Sequence, residues 1–328
     1  MEKSELVLYA IESDIIKKWH WFKYHFEFYS ENREHPFAKS IIDSCLVCED
    51  FIPGYAKKFI DDISQISGID KKTNEKQSLK HYQQLFQRLA ELLIIKQVVT
   101  YEWPENTKFF YEPTSGKSKK NPELVVELNK FKIGIEVKAP SLLDHIQKRN
   151  NNKIQATARN GLTDKFKENE EVTLPRDNPV KDFLISADQK YNSFKENEKC
   201  FYGILVIVWD DFIYEPITTL TDKFSGLFTQ NSFAKNSNDE TLKFENVDSV
   251  IIVRHLHQFG NAAGECPLIN NCMDAMDFGS EGRSLPNVYV KNPASNGVPE
   301  GILECLRAYS PDEKMGAEYM PQDMVIWL

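Results

Sequence analysis

Two glutamates and a lysine, Glu123, Glu136 and Lys138, are spaced to meet on one face of a β-hairpin. Glu123 to Leu128 and Phe131 to Val137 are short and rich in branched apolar residues, as strands are, and Asn129-Lys130 between them can close a two-residue turn. With that turn, Leu128 faces Phe131, Val126 faces Ile133 and Leu124 faces Ile135, all on one side by the two-residue period of a strand. The other side carries Glu127 across from Lys132, Val125 across from Gly134 and Glu123 across from Glu136, with Lys138 one step further along. Gly134 is expected to leave the centre of that face open.

Carboxylates directly opposite one another in such a ladder have Cβ atoms about 4.5–5.5 Å apart, and like charges there are destabilising. A shared proton, a neighbouring cation or a divalent metal must compensate. Two carboxylates offering only oxygen suit Mg²⁺ (or Mn²⁺), which keeps several waters and takes substrate phosphate as a ligand. An ammonium at Lys138 can then orient or help deprotonate an attacking water and steady phosphate charge. Acid-x-Lys spacing is common by itself. It recurs at Asp70/Lys72, Asp188/Lys190 and Asp312/Lys314 in helical or loop surroundings, and only Glu136/Lys138 lies on an apolar strand with a second acid opposite.

Asn121-Pro122-Glu123-Leu-Val-Val followed by Ile133-Gly-Ile-Glu136-Val-Lys138-Ala-Pro resembles the PD-(D/E)xK motif of restriction-endonuclease-like nucleases, with Glu123 where Asp is usual. Leu89-Ala-Glu91-Leu-Leu-Ile-Ile is similar to the acid-bearing helix that precedes the motif in many members. The resemblance runs over roughly residues 80 to 210. It implies an α/β fold, a restriction-endonuclease-like mixed central sheet flanked by helices, and Mg²⁺-dependent phosphodiester hydrolysis. It also implies metal ligation by Glu123, Glu136 and the backbone carbonyl of Val137, with Lys138 as catalytic lysine and Glu91 as an auxiliary ligand to metal or water. A later helix often supplies a further Gln, Lys or Tyr, for which Asp188-Gln189-Lys190-Tyr191 is the candidate. A bacterial restriction or anti-phage role follows from the same resemblance, with DNA favoured over RNA. On its own residues, Glu91 is flanked at helical spacing by Ile94, Ile95 and Val98, where a carboxylate is costly to bury unless paired.

The net charge of -9 argues against a basic coat, yet basic residues crowd between 108 and 167. Lys117, Lys119 and Lys120 lie in a polar loop before the hairpin; Lys148, Arg149, Lys153 and Arg159 lie on a helix expected over Ser141 to Asn160. These are the candidates for contact with a nucleic-acid backbone. The alternative to an enzyme is a non-catalytic nucleic-acid-binding or scaffolding protein that retains a nuclease-like fold; the retained acid-acid-lysine face favours the enzyme.

Residues 5 to about 99 read as helical, with Leu8, Ile11, Ile15, Trp19, Phe22 and Phe26 at three- and four-residue steps and breaks at Pro36 and Pro53-Gly54. Gln77 to Val99 becomes apolar almost all round, so it is expected to be buried on more than one side. Asn178-Pro179 is a good helix start, ahead of a face made by Phe183, Leu184, Ala187, Tyr191 and Phe194. Cys200 to Trp209 is a continuous apolar run, the mark of a strand covered on both sides. Val250 to Val253, Asn287 to Val290 and Met324 to Leu328 read as further strands. The expected division is an N-terminal helical region over 1–76, a nuclease core over 77–215 and a C-terminal α+β extension over 216–328. The two flanks are the place for target choice, homodimerisation or a defence-system partner.

A composition 41% hydrophobic and 27% charged is that of a folded protein rather than a disordered one. The charged Met-Glu-Lys-Ser-Glu start lacks the zones of a signal peptide and no apolar run has bilayer length, so a cytoplasmic protein with no membrane partner is expected. Six cysteines include a single CxxC, Cys45 and Cys48; zinc ligation with Cys266 and Cys272 needs the fold to bring both pairs together.

Overall fold

The computed structural model describes residues 1–66, 75–115, 120–141, 143–159, 172–209, 211–279, 284–312 and 315–326. The chain divides into two compact units, Met1–Tyr111 with His255–Leu285, and Glu112–Arg254 with Pro286–Leu328. The boundaries expected at 76/77 and 215/216 fall inside these units, because the Glu75–Thr100 helix packs on the Pro36–Phe51 helix and because strands beyond 215 complete the sheet begun by the hairpin. Among the described residues no helix is long and apolar enough to cross a membrane.

The first unit is mainly helical, with one short strand at Lys108–Tyr111. Pro36 opens the Pro36–Phe51 helix and Gly54, at φ +88°, precedes Tyr55–Gln65. The Glu75–Thr100 helix is buried almost all round from Leu89 to Ile95, as its apolar composition requires. The opening stripe is corrected in one respect. Leu8 and Trp19 are 56% and 48% exposed, and Leu6 and Ala10 are buried instead. The stretch is three short helices, Lys3–Ile11, Asp14–Lys17 and Lys23–Ser30, and the Ser13 hydroxyl accepts from the Ile15 amide to start the second, so the phase is reset at each break. Cys45 and Cys48 are buried, and burial pushes the Cys48 thiol up to about 12. Cys266 is exposed and Cys272 donates to the Asp277 carbonyl. Among the described residues the cysteines do not gather into a metal-ligand set.

The second unit is mixed α/β. Its elements are β1 (Leu124–Glu127), β2 (Lys132–Lys138), α1 (Leu143–Asn151), β3 (Ile154–Ala156), β4 (Val172–Thr173), α2 (Asn178–Asn197), β5 (Phe201–Val208), α3 (Tyr214–Thr221), β6 (Ser249–Val253), β7 (Asn287–Lys291), α4 (Glu300–Cys305), β8 (Ala308–Tyr309) and β9 (Met324–Ile326). Within this unit the central sheet runs β1-β2-β5-β6-β7-β8. β1/β2 and β6/β7 are antiparallel, while β2/β5, β5/β6 and β7/β8 are parallel. β5 lies inside the sheet and is buried along nearly its whole length, as an unbroken apolar run demands. The expected helix over Ser141 to Asn160 is corrected: it stops at Asn151, and Ile154–Ala156 pairs with β9 and β4 in a separate three-stranded sheet. Local polarity favoured the helix, and strand partners distant in sequence decide otherwise.

α2 begins at Asn178 with Pro179 in its first turn, and it buries Val180, Leu184, Ala187, Tyr191 and Phe194. Tyr191 is fully buried and donates its hydroxyl to the Ile204 carbonyl at 2.6 Å. Its ring fills a hollow made by two glycines that are Cα partners on adjacent strands, Gly134 of β2 and Gly203 of β5. The centre of the polar face is therefore not open: a Cβ on Gly134 would lie 2.4 Å from Phe201 and 3.0 Å from Tyr191. At Gly203 a Cβ would meet the Asn246 carbonyl oxygen and the Tyr191 ring, both at 2.5 Å. Overpacking of this kind costs about 1–3 kcal/mol. Gly203→Ala is accordingly expected to lower the free energy of unfolding by about that amount in urea denaturation, and an unchanged midpoint would show that the close approach is not a constraint.

Candidate active site

The hairpin register is the expected one. Leu124 pairs with Ile135, Val125 with Gly134, Val126 with Ile133 and Glu127 with Lys132, and the Leu128 amide donates to the Phe131 carbonyl across the turn. Glu127 and Lys132 are in contact at 3.0 Å, as the pairing requires. Glu123 directly precedes β1 and Glu136 lies on β2, so continuing the register sets the two acids side by side. Both are buried; Glu136 is 0% exposed.

Three groups hold the acids. The Val137 amide donates to Glu123 Oε2 at 3.0 Å. Lys138 Nζ stands 2.7 Å from Glu136 Oε1 and 3.7 Å from Glu123 Oε1. Lys190 Nζ, from α2, reaches both oxygens of Glu136 at 2.6 and 2.7 Å and lies 3.5 Å from Glu123 Oε1. The two acids lie close enough for one proton to be shared between them. Lys190 answers to the later-helix candidate Asp188-Gln189-Lys190-Tyr191, although an acid-x-Lys in helical surroundings carries no such sign by itself. Its neighbour Tyr191, seated between the glycines, fixes α2 against the sheet and so places the ammonium.

Burial, then the charge of Glu123 and the hydrogen bond with it, push the Glu136 carboxyl up to about 8, and Lys138 and Lys190 only partly offset this. At Glu123 burial also works against the charge, but the bond from Glu136, the two ammoniums and the Val137 amide outweigh it and hold the group below the ordinary carboxylate range. The dyad therefore keeps a proton to a higher pH than isolated glutamates would. Of the three compensations open to opposed carboxylates, this site uses two, a proton and neighbouring cations. The donors offered are carboxylate oxygens alone, the ligand type of a hard divalent cation.

Glu91 lies in the first unit, 5% exposed, and accepts from Arg88 Nη1 at 2.6 Å and Gln87 Nε2 at 2.8 Å. Its pairing is the one that a carboxylate among isoleucines requires.

The basic candidates are dispersed. Lys117 and Lys119 lie outside the described residues. Lys120 donates to Gln189 at 2.6 Å. Lys148 and Lys153 are exposed, the first on α1 and the second beyond its end. Arg149 turns inwards, paired with Asp211 and stacked 4.5 Å over Phe212. Arg159 pairs with Asp177, donates to Asn178 at 3.1 Å and covers the Phe233 ring.

Comparisons of the chain with protein-family models, with curated proteins and with solved structures find no match.

A carboxyl whose folded pKa lies above its ordinary 4.5 stabilises the fold fully below that value and loses the contribution as pH rises towards about 8. Glu136→Gln keeps a neutral side chain at every pH. In urea denaturation between pH 5 and 8, the wild type is expected to lose stability relative to this variant as pH rises. Parallel stability curves would place the shared proton elsewhere.

Proposed function

We propose that the chain is a divalent-metal-dependent nuclease that hydrolyses phosphodiester bonds, with DNA the favoured substrate. The reading is carried by one observation: two buried carboxylates and two lysines, Glu123, Glu136, Lys138 and Lys190, meet where β2 ends and α2 crosses it. The two lysines match the two acids in number but not in position. Here both of them crowd the same Glu136 oxygen, within 2.6 and 2.7 Å.

Glu123 and Glu136 would hold Mg²⁺ or Mn²⁺, which, when bound, supplies Lewis-acid polarisation and lowers the pKa of a coordinated water. The chain's own groups do the rest. Lys138 and Lys190, about one fifth exposed, offer two ammoniums to the non-bridging oxygens of a phosphodiester and to the attacking water. A divalent cation held by Glu123 and Glu136 would supply the positive charge that these acids now draw from Lys138 and Lys190, leaving both ammoniums to an anionic substrate. Exposed Lys148 and Lys153 can contact the backbone; Arg149 and Arg159, spent in internal pairs, support the loops instead.

The second reading, a non-catalytic nucleic-acid-binding or scaffolding module of the same architecture, is favoured by the complete burial of Glu136 beneath the Lys190 ammonium. Cleavage of plasmid and single-stranded DNA with Mg²⁺ or Mn²⁺ separates the two. A nuclease is expected to cleave, to stop on chelation, and to lose about 10²-fold or more in rate in Glu136→Ala, Lys138→Ala and Lys190→Ala. DNA binding without cleavage under either metal, or cleavage indifferent to all three substitutions, would sink the assignment.

A further inference from the structure

A second polar cluster in the same unit involves none of these four residues. His145 projects from α1, Asp211 from the turn after β5 and Glu215 from the first turn of α3, and one ligand atom of each lies within 4.8 Å of the others. His145 Nε2 is 3.0 Å from Glu215 Oε1, and the side chains of His145, Asp211 and Glu215 are only 10%, 8% and 4% exposed. Arg149 is paired with Asp211.

An independent sign comes from acceptors that meet no donor. Gln155, on β3 and 1% exposed, points into the cluster: its Nε2 donates to Glu215 Oε1 and lies 3.4 Å from His145 Nε2. Its Oε1 is buried without a partner, and so is Glu215 Oε2. Buried acceptors nearly always find a donor, an ion or ordered water, so these two call for a partner, and a cation shared with the imidazole would satisfy both.

We propose that His145, Asp211 and Glu215 form a binding site for Zn²⁺, with Gln155 beside it. One imidazole nitrogen and two carboxylate oxygens belong to the donor set of zinc, whereas Mg²⁺ prefers oxygen alone. Zinc–ligand distances of about 2.0–2.2 Å set tetrahedral donors about 3.3–3.6 Å apart, so the three groups have little distance to close. Arg149 fits as the partner that orients a ligating carboxylate from behind. A pocket of about 650 Å³ has His145 in its wall, beside Lys148, Asn152, Thr173 and Arg176, so one ligand of the three faces open space. Bound zinc ties α1 to the β5–α3 turn and to α3, whatever the fate of the nuclease reading.

The test uses the full chain, stripped by chelator and then dialysed against Zn²⁺, with metal analysis and Co²⁺ absorption as readouts. About one zinc per chain is expected, with a Co²⁺ spectrum lacking the intense bands of thiolate ligation. Glu215→Gln and His145→Ala are each expected to weaken zinc binding about ten-fold or more, while Glu136→Gln retains it. Zinc should raise the melting temperature of the wild type and not that of Glu215→Gln, a nearly isosteric change that carries the test alone if His145→Ala fails to fold. Absence of stoichiometric zinc, a thiolate band, or undiminished affinity in Glu215→Gln would overturn the proposal.

Discussion

Opposed carboxylates on a hairpin repel, and burial makes the repulsion worse, because water can no longer screen either charge. The penalty for desolvating a single ion is on the order of several kcal/mol, and removing one partner of a buried pair typically costs about 3–5 kcal/mol. Glu136, with no exposed surface, is tolerated only because compensation arrives from several directions. The Val137 amide is supplied by the same strand, Lys138 by the next position on that face, and Lys190 by a helix more than fifty residues later in the chain. What remains is met by a retained proton. Such a balance responds to any added cation or anion, which an inert ion pair would not.

The delivery of Lys190 depends on packing rather than on charge. α2 can cross β2 closely only where side chains are missing, and Gly134 and Gly203 provide that gap as neighbours in a parallel pair. Tyr191 enters it and bonds to the Ile204 carbonyl. On the same helix Asp188 accepts the Asn246 amide at 2.8 Å, a second tie. Lys190, adjacent in sequence to the wedge, then has a fixed origin for its long side chain. The apolar core and the charged site are thus coupled through one aromatic ring.

The hairpin and its acids were legible because a two-residue period and a two-residue turn leave one register that keeps Leu124, Val126, Ile133 and Ile135 together. β5 was legible as an apolar run, and α2 by Asn178-Pro179. Other features depend on groups remote in sequence. Gly134 looked like open space because nothing local names Tyr191 as its occupant. The Ile154–Ala156 strand exists through a partner at Met324–Ile326. Basic residues could be counted, but not which way they turn; Arg149 and Arg159 face acids, Asp211 and Asp177, that only the fold brings to them. His145 and Glu215 gave no sign, since three ligands on separate elements have no spacing rule.

Both clusters lie where parallel strands end. Lys138 closes β2 opposite Ile207 of β5, and Asp211 follows four residues beyond Ile207; His145 stands on the helix that follows β2. Open α/β sheets favour ligand sites at this edge, because the strands stop and the loops diverge, leaving polar groups without the ladder partners they would otherwise have. The donor sets differ in kind. The dyad offers oxygen with ammoniums at hand, which under the proposed reading would hold a hard cation beside an anionic substrate. The other cluster offers an imidazole nitrogen among carboxylates with a guanidinium behind, a setting for an ion that stays. A resident ion on α1 and α3 would stiffen the segments that flank the ends of β2 and β5, and so hold in place the edge on which the dyad lies.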